Sequence, residues 1–286
     1  MRTPTWAAAS CTGARATSIR QSPISAKQSA SIYAYAYYNR SAAYRAKRDY
    51  HRALADFNEA IRLDPKIALI YADRCTAYDG TGDPDRAIAD CSRALDLDPG
   101  FALAYSQRGR AFRAKGDSDH AIADYSDAIR LDPKDASAYF VRGRLNLHYG
   151  PLPKSLADLT QASALHPKDA YIALWFAIAS LRSGRSEQWA DATRQIDMTR
   201  WPAPLIRLYL GQAPPEAVLA AADVPDPVVR KKQVCEANLY SGELALQRGE
   251  KAEATRLLRA AAADCPKTAI EYEGAVAELK KLALQP

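Results

Sequence analysis

Apolar and small residues along this chain recur at helical spacing in blocks of roughly a dozen positions, and glycine or proline separates the blocks. From Ala34 onward, aromatic and aliphatic residues stand three and four apart with Arg, Asp and Lys between them, the period of amphipathic helices rather than strands. The blocks alternate in kind. Some close at Gly82, Gly116 or Gly150, where glycine tolerates a left-handed cap. Others close just before Pro65, Pro99, Pro133 or Pro167, because proline ends a helix and restricts the residue before it. A block of that length gives about 18 to 20 Å of helix. The pattern predicts antiparallel helix pairs, here called helix A and helix B, joined by tight turns.

The pairs repeat with one period. The four prolines are each separated by 34 residues, and Arg62-Leu63-Asp64-Pro65 returns as Asp96-Leu97-Asp98-Pro99, Arg130-Leu131-Asp132-Pro133 and, more weakly, Ala164-Leu165-His166-Pro167. Tyr37, Tyr71, Tyr105 and Tyr139 open the units; Ala53, Ala87, Ala121 and Ser155 follow in phase, then Ala60, Ala94, Ala128 and Ala162. An aromatic in helix A needs a cavity, and small residues in helix B let the backbones approach. A lone hairpin cannot bury its apolar face, so the expected fold is an all-α stack of hairpins. Two further columns, Arg40, Arg74, Arg108, Arg142 and Asp56, Asp90, Asp124, Asp158, predict one ion pair within each hairpin.

Spacing, small residues and terminal proline, as in Tyr105, Gly109, Ala121 and Pro133, resemble the tetratricopeptide repeat. The resemblance implies a right-handed superhelical solenoid, with units near 34–67, 68–101, 102–135 and 136–169. The fourth departs from the pattern: Asn146 replaces an aromatic, and Pro151 and Pro153 crowd its turn. The family binds partner proteins in a concave groove lined by helix A. Carried over column by column, that groove would be lined by Tyr35, Tyr38, Asn39, Leu69, Asp73, Thr76, Leu103, Gln107, Arg110, Arg113, Phe140, Arg144 and His148. Arg110, Arg113 and Arg144 would cluster at its centre and take a segment or C-terminus carrying acid. Replacing Arg110 and Arg144 by Ala is then expected to weaken binding without unfolding the chain. Of the family's lysine-and-asparagine clamp for chaperones, only Asn39 is matched.

After residue 170 the phase decays. Residues 170–212 read as a degenerate helical repeat: a helix A carrying Leu174, Trp175, Phe176 and Ile178, a partner helix to about Arg200, and a short helix through Leu210. Residues 213–234 read as a connection and helix start, with a joint at Asp226-Pro227. Gly242, Gly249, Ala254, Ala261 and Pro266 restore the repeat at 235–268, and 269–286 would cap the stack. Trp201-Pro202 through Tyr209-Leu210-Gly211 and the unit after it are similar to the C-terminal half of the NlpI-type lipoproteins of Gram-negative bacteria. That resemblance implies an adaptor in envelope or peptidoglycan assembly.

Charge narrows the partners. Of the net +6, four charges come from Arg2, Arg15, Arg20 and Lys27, in residues 1–33 that hold no acid. The body is near neutral, so a nucleic-acid surface is not expected. No apolar run reaches the roughly 18 to 20 residues of a membrane span. Residues 1–33 read as a disordered leader, with three open readings. Trp6-Ala7-Ala8-Ala9-Ser10 is short for a lipoprotein signal before Cys11; the composition suits an organelle transit peptide. Third, the codons of Ala16 through Ile32, each third base taken with the next two, can encode D-L-D-x-A-I-A-D-F-x-E-A-I-R-L-D. That matches Asp117 through Asp132, so the leader would be an out-of-frame or mis-started copy of a repeat, and the array would lack its first units.

Cys235 and Cys265, at facing helix ends, form a possible disulfide, which would argue for an oxidising compartment; without it the cytoplasm is expected. Cys75 and Cys91 are expected to be buried thiols. His51, His120, His148 and His166 fall in different columns, with no cysteine at ligand spacing, so no metal is expected. No phosphate-binding loop, dinucleotide fingerprint or nucleophile elbow is present, and no catalytic or cofactor-binding residue is assigned. The expected function is a protein-binding scaffold or adaptor without cofactor, not an enzyme. An enzyme's regulatory arm and an RNA-binding repeat are the alternatives.

Overall fold

The computed structural model describes residues 26–185 and 189–283, which form fourteen α-helices, one short 3-10 turn and no strand. Four hairpins come first: α1 (Ala26–Ala46) with α2 (Tyr50–Leu63), α3 (Ala68–Gly80) with α4 (Pro84–Leu97), α5 (Ala102–Lys115) with α6 (Ser118–Leu131), and α7 (Ala136–Tyr149) with α8 (Leu152–Leu165). Then follow α9 (Ala170–Arg182), α10 (Ala203–Tyr209), α11 (Pro215–Ala222), α12 (Pro227–Gln247), α13 (Lys251–Asp264) and α14 (Ile270–Ala283). The chain is an all-α solenoid of helical hairpins.

Local chemistry sets the boundaries. Asp49, Asp83 and Asp117 cap α2, α4 and α6, each carboxylate accepting the N–H three residues on. Such caps contribute about 1 kcal/mol each. The turn after α5 uses Gly116 at φ 84°, a left-handed cap that satisfies carbonyls of the last turn. Gly150 does not follow: its backbone is extended, at φ −127° and ψ −165°. Pro151 disfavours a helical residue before it. A Cβ on Gly150 would also lie 2.4 Å from the Asn146 carboxamide oxygen, so the departures in the fourth unit act together.

Between hairpins, Ala53, Ala60, Ala87, Ala94, Ala121 and Ala128 are fully buried. The Arg and Asp columns form a ladder. Arg40, Arg74, Arg108 and Arg142 each grip Asp56, Asp90, Asp124 or Asp158 through two hydrogen bonds of 2.6 to 2.9 Å. Each guanidinium also lies 5.4 to 5.8 Å from the ring centre of Tyr37, Tyr71, Tyr105 or Tyr139. The inner three do more than pair within a hairpin. Arg74 reaches Asn58, Arg108 reaches Ser92 and Arg142 reaches Ser126, all on the preceding helix B. The ladder therefore ties neighbouring units together.

One column pair changes chemistry. A Cβ on Gly109 would sit 3.2 Å from the Tyr125 ring, and one on Gly143 2.9 Å from Leu159. In the second unit these positions are Cys75 and Cys91, and they are not separate thiols: they form a disulfide, Cα to Cα 5.5 Å. Two cysteines fill the gap that glycine and a large side chain fill elsewhere. Cys235 and Cys265 are also bridged, Cα to Cα 5.1 Å, across α12 and the end of α13.

The C-terminal half has the largest core, around Trp175, Leu174, Ile178, Leu205, Leu239, Tyr240 and Leu258. No helix partners α9 up to Arg200 among the described residues; Ala190–Thr193 make only a 3-10 turn. The Asp197 carboxylate accepts from the N–H and hydroxyl of Thr199, a local turn that competes with helix. α12 starts at Pro227 behind the Asp226 cap and runs unbroken through residue 235. At the other end residues 26–33, expected in a disordered leader, are the first turns of α1, in a stretch rich in good helix formers. The rest of the leader, with its targeting and frame readings, lies outside the described residues.

Candidate partner-binding groove

Helices α1, α3, α5 and α7 share a face, and side chains bridge from one helix A to the next. The Tyr38 hydroxyl donates to Asp73 at 2.9 Å, and Arg45 lies 3.3 Å from the same carboxylate. Burial first, then the Asp73 charge, pushes the Tyr38 phenol up to about 12. Arg110 pairs with Asp79 at 3.0 Å. Asn39 is exposed, while Thr76 is half-buried with its hydroxyl on the Ala72 carbonyl. Gln107 is buried. Among the residues expected to line the groove, the large apolar ones on the first three units are open: Tyr35 is 49% exposed, Leu69 38% and Leu103 51%. They stand one repeat apart, one on each helix A.

The other half of the face is closed. α14 packs against α7, and Arg113 donates to Glu273 at 2.5 Å while Arg144 reaches the second oxygen at 3.4 Å. Arg144 is buried between the Phe140 and Trp175 rings, 5.5 and 4.9 Å from their centres. Burial lowers its pKa, against the Glu273 charge. His148, also buried, meets Glu278 at 3.0 Å, and Arg182 meets the same oxygen at 3.0 Å. Burial pushes His148 down to about 4, so the ring is neutral and its Nδ1–H donates to Glu278. Burial raises the Glu278 pKa, yet the His148 hydrogen bond and the Arg182 charge outweigh it and hold the carboxylate ionised.

This corrects the expected site. Arg144 and His148 do not face a partner, because α14 covers them, and the acid that engages Arg113 and Arg144 belongs to the chain. Arg110 is half-exposed but already paired. Repeat columns could not point to Glu273 and Glu278, since they lie outside the repeating units. Their sequence signal is the acid content of the last helix, which carries Glu271, Glu273 and Glu278.

Comparison with known proteins decides what the repeats are. Models of the tetratricopeptide repeat match residues 34–67 and 70–101, and a model described as TPR repeat matches 109–148. These segments are tetratricopeptide repeats. The match over 34–67 includes the open residue Tyr35, while Leu69 and Leu103 lie just outside the matched segments. No curated protein matches the chain. Among solved structures, one of the MamA protein is 20% identical with a TM-score of 0.51, over 57% of this chain and 88% of that one. MamA from Desulfovibrio magneticus RS-1, from residue 41 to its end, is 19% identical with a TM-score of 0.51, over 59% and 93%. At these identities the likeness concerns the fold alone.

Proposed function

We propose that this protein is an interaction scaffold that receives an extended segment of a partner protein on the open, N-terminal half of its helix A face. The supporting observation is the column Tyr35, Leu69 and Leu103: three large apolar side chains, exposed and one repeat apart, on a module that binds proteins. Single exposed apolar residues need no explanation, but a periodic row on one face marks a contact surface. Asp73 and Asp79 beside the row have their own cations, Arg45 and Arg110, so the face offers apolar contact with a polar rim. A segment carrying acid would find Arg110 as its half-exposed cation.

The test is a pull-down with the protein and with a Leu69→Asp, Leu103→Asp variant, captured proteins being identified by mass spectrometry. Both sites are exposed, so the variant is expected to melt with the parent and to lose specific partners. An unchanged set of partners would refute the reading.

A narrower reading is an adaptor of the bacterial envelope. It rests on the resemblance of residues 201–268 to NlpI-type lipoproteins and on two disulfides, which suit an oxidising compartment. Cell fractionation with thiol labelling tests it: free Cys75, Cys91, Cys235 and Cys265 in vivo would count against export. Nucleic acid is the less supported partner, since only two of the six net charges lie outside residues 1–33. Binding of RNA that weakens steeply with salt would reverse that ranking.

A further inference from the structure

α1 differs from the later helices A in where it starts and in what its ladder arginine meets. Helix A begins at Ala68, Ala102, Ala136 and Ala170 in the later units, but α1 begins at Ala26 rather than Ala34. Each inner ladder arginine holds an Asn or Ser of the preceding helix B and is 17 to 22% exposed. Arg40 holds only Asp56 among the described residues, and its side chain is 58% exposed. Ile67 and Ile70 pack on α2, whereas Tyr33, in the column of Ile67, is 62% exposed. The face of α1 therefore carries the Arg and Tyr columns with which α3, α5 and α7 each meet the helix B before them, and among the described residues no helix B meets it.

We propose that this face seats one further tetratricopeptide hairpin of the same protein, and that the bases encoding residues 1–32 spell that hairpin in the frame beginning at each third codon base. The match over Ala16–Ile32 is its helix B. The same frame, at the same offset, continues upstream into a helix A. Thr3 with Pro4 can give Ala, Pro4 with Thr5 Tyr, Ala7 with Ala8 Arg, and Ala8 with Ala9 Gly. Those are the counterparts of Ala104, Tyr105, Arg108 and Gly109. Cys11 with Thr12 can give Tyr where Phe112 stands, and Ala14 with Arg15 and Arg15 with Ala16 can give Lys and Gly where Lys115 and Gly116 stand. The second and third bases of each shifted codon are set by the residue that follows, so the free choice is chiefly the first base. The structure adds a constraint that the codons meet. Arg40 needs Ser or Asn in the column of Asn58, Ser92 and Ser126, and Ser25 with Ala26 can encode Ser, Arg, Cys or Gly. In this reading α1 begins at Ala34 like its counterparts, and the seat is filled in cis.

Two experiments decide it, and neither depends on the groove reading. Sequencing genomic DNA and transcript across these codons is expected to show the third-base frame spelling the repeat and joined to the frame of Ala34. Shifted codons that do not spell the repeat would overturn the proposal. The chain as given and a chain carrying the shifted-frame hairpin in place of residues 1–33 are then compared by hydrogen exchange and sedimentation. With the hairpin, α1 amides are expected to exchange at least tenfold more slowly, and Arg40→Ala is expected to abolish much of that gain. A hairpin that leaves α1 exchange unchanged would refute the seat. So would a chain as given that dimerises through α1 and is dispersed by Arg40→Glu, since a second copy would then be the occupant.

Discussion

Glu273 bridges Arg113 and Arg144, one carboxylate oxygen to each guanidinium, and so ties the last helix to the helix A face of the third and fourth units. The contact spans 160 residues of sequence to Arg113 and 129 to Arg144. It turns what repeat columns present as an arginine-lined groove into an internal interface. Gly274 stands beside it, where a Cβ would meet the Trp175 ring at 3.1 Å, so α14 approaches the core closely at this point.

Glu273→Ala leaves Arg144 buried without its counter-charge. Removing one member of a buried pair costs about 3 to 5 kcal/mol, and the partial exposure of Glu273 puts the expected loss near about 2 to 3 kcal/mol. Urea unfolding is the measurement. Arg144→Ala is likewise expected to destabilise the fold, contrary to the role that the groove columns assign to it. A Glu273→Ala protein with the parent midpoint would mean that the Glu273 bridge contributes nothing to holding α14.

The ladder should be graded. Asp124→Ala strands Arg108 in a buried site shared with Ser92, an expected cost of about 2 to 3 kcal/mol. Asp56→Ala strands only the exposed Arg40, and its expected loss is the smaller of the two. Thermal unfolding of the two variants side by side checks the order; equal losses would show that the link between hairpins contributes nothing.

The sequence made the solenoid legible because 34-residue columns report directly on which positions meet between hairpins: Ala121 and Ala128, Gly109 against Tyr125, Arg108 against Asp124. It failed wherever a contact broke the period. The Cys75–Cys91 bridge was readable in principle, since their counterparts, Gly109 with Tyr125 and Gly143 with Leu159, face each other across the third and fourth hairpins. The closed half of the groove was not, because Glu273 and Glu278 sit in a helix that belongs to no unit. Composition cannot say where such a helix returns.

Reduction should loosen both halves of the molecule. The loops closed by Cys75–Cys91 and Cys235–Cys265 span 16 and 30 residues, for which the chain-entropy model gives about 3 to 4 kcal/mol each. Cys75→Ser with Cys91→Ser is expected to lower the melting temperature and to remove part of its response to dithiothreitol; Cys235→Ser with Cys265→Ser should remove the rest. Identical melting with and without reductant would mean that the thiols are unpaired in solution.

The His148–Glu278–Arg182 cluster sets an acid limit. His148 falls from 6.5 to about 4 on burial, so between those values the unfolded chain binds a proton that the folded chain refuses. Stability therefore declines as pH drops through that window. Glu278, held below its ordinary value by His148 and Arg182, adds a loss in the same direction below the unfolded carboxylate range. Buried Glu243, raised by desolvation against the pull of Arg182, works the other way and loses stability as pH rises past its ordinary value. His148→Gln keeps a donor toward Glu278 but cannot protonate. It is expected to flatten the fall in unfolding free energy between pH 6.5 and about 4 while leaving the steeper loss below it. Denaturant midpoints at half-unit steps of pH measure this, and a His148→Gln curve parallel to the parent across the window would place the acid sensitivity elsewhere.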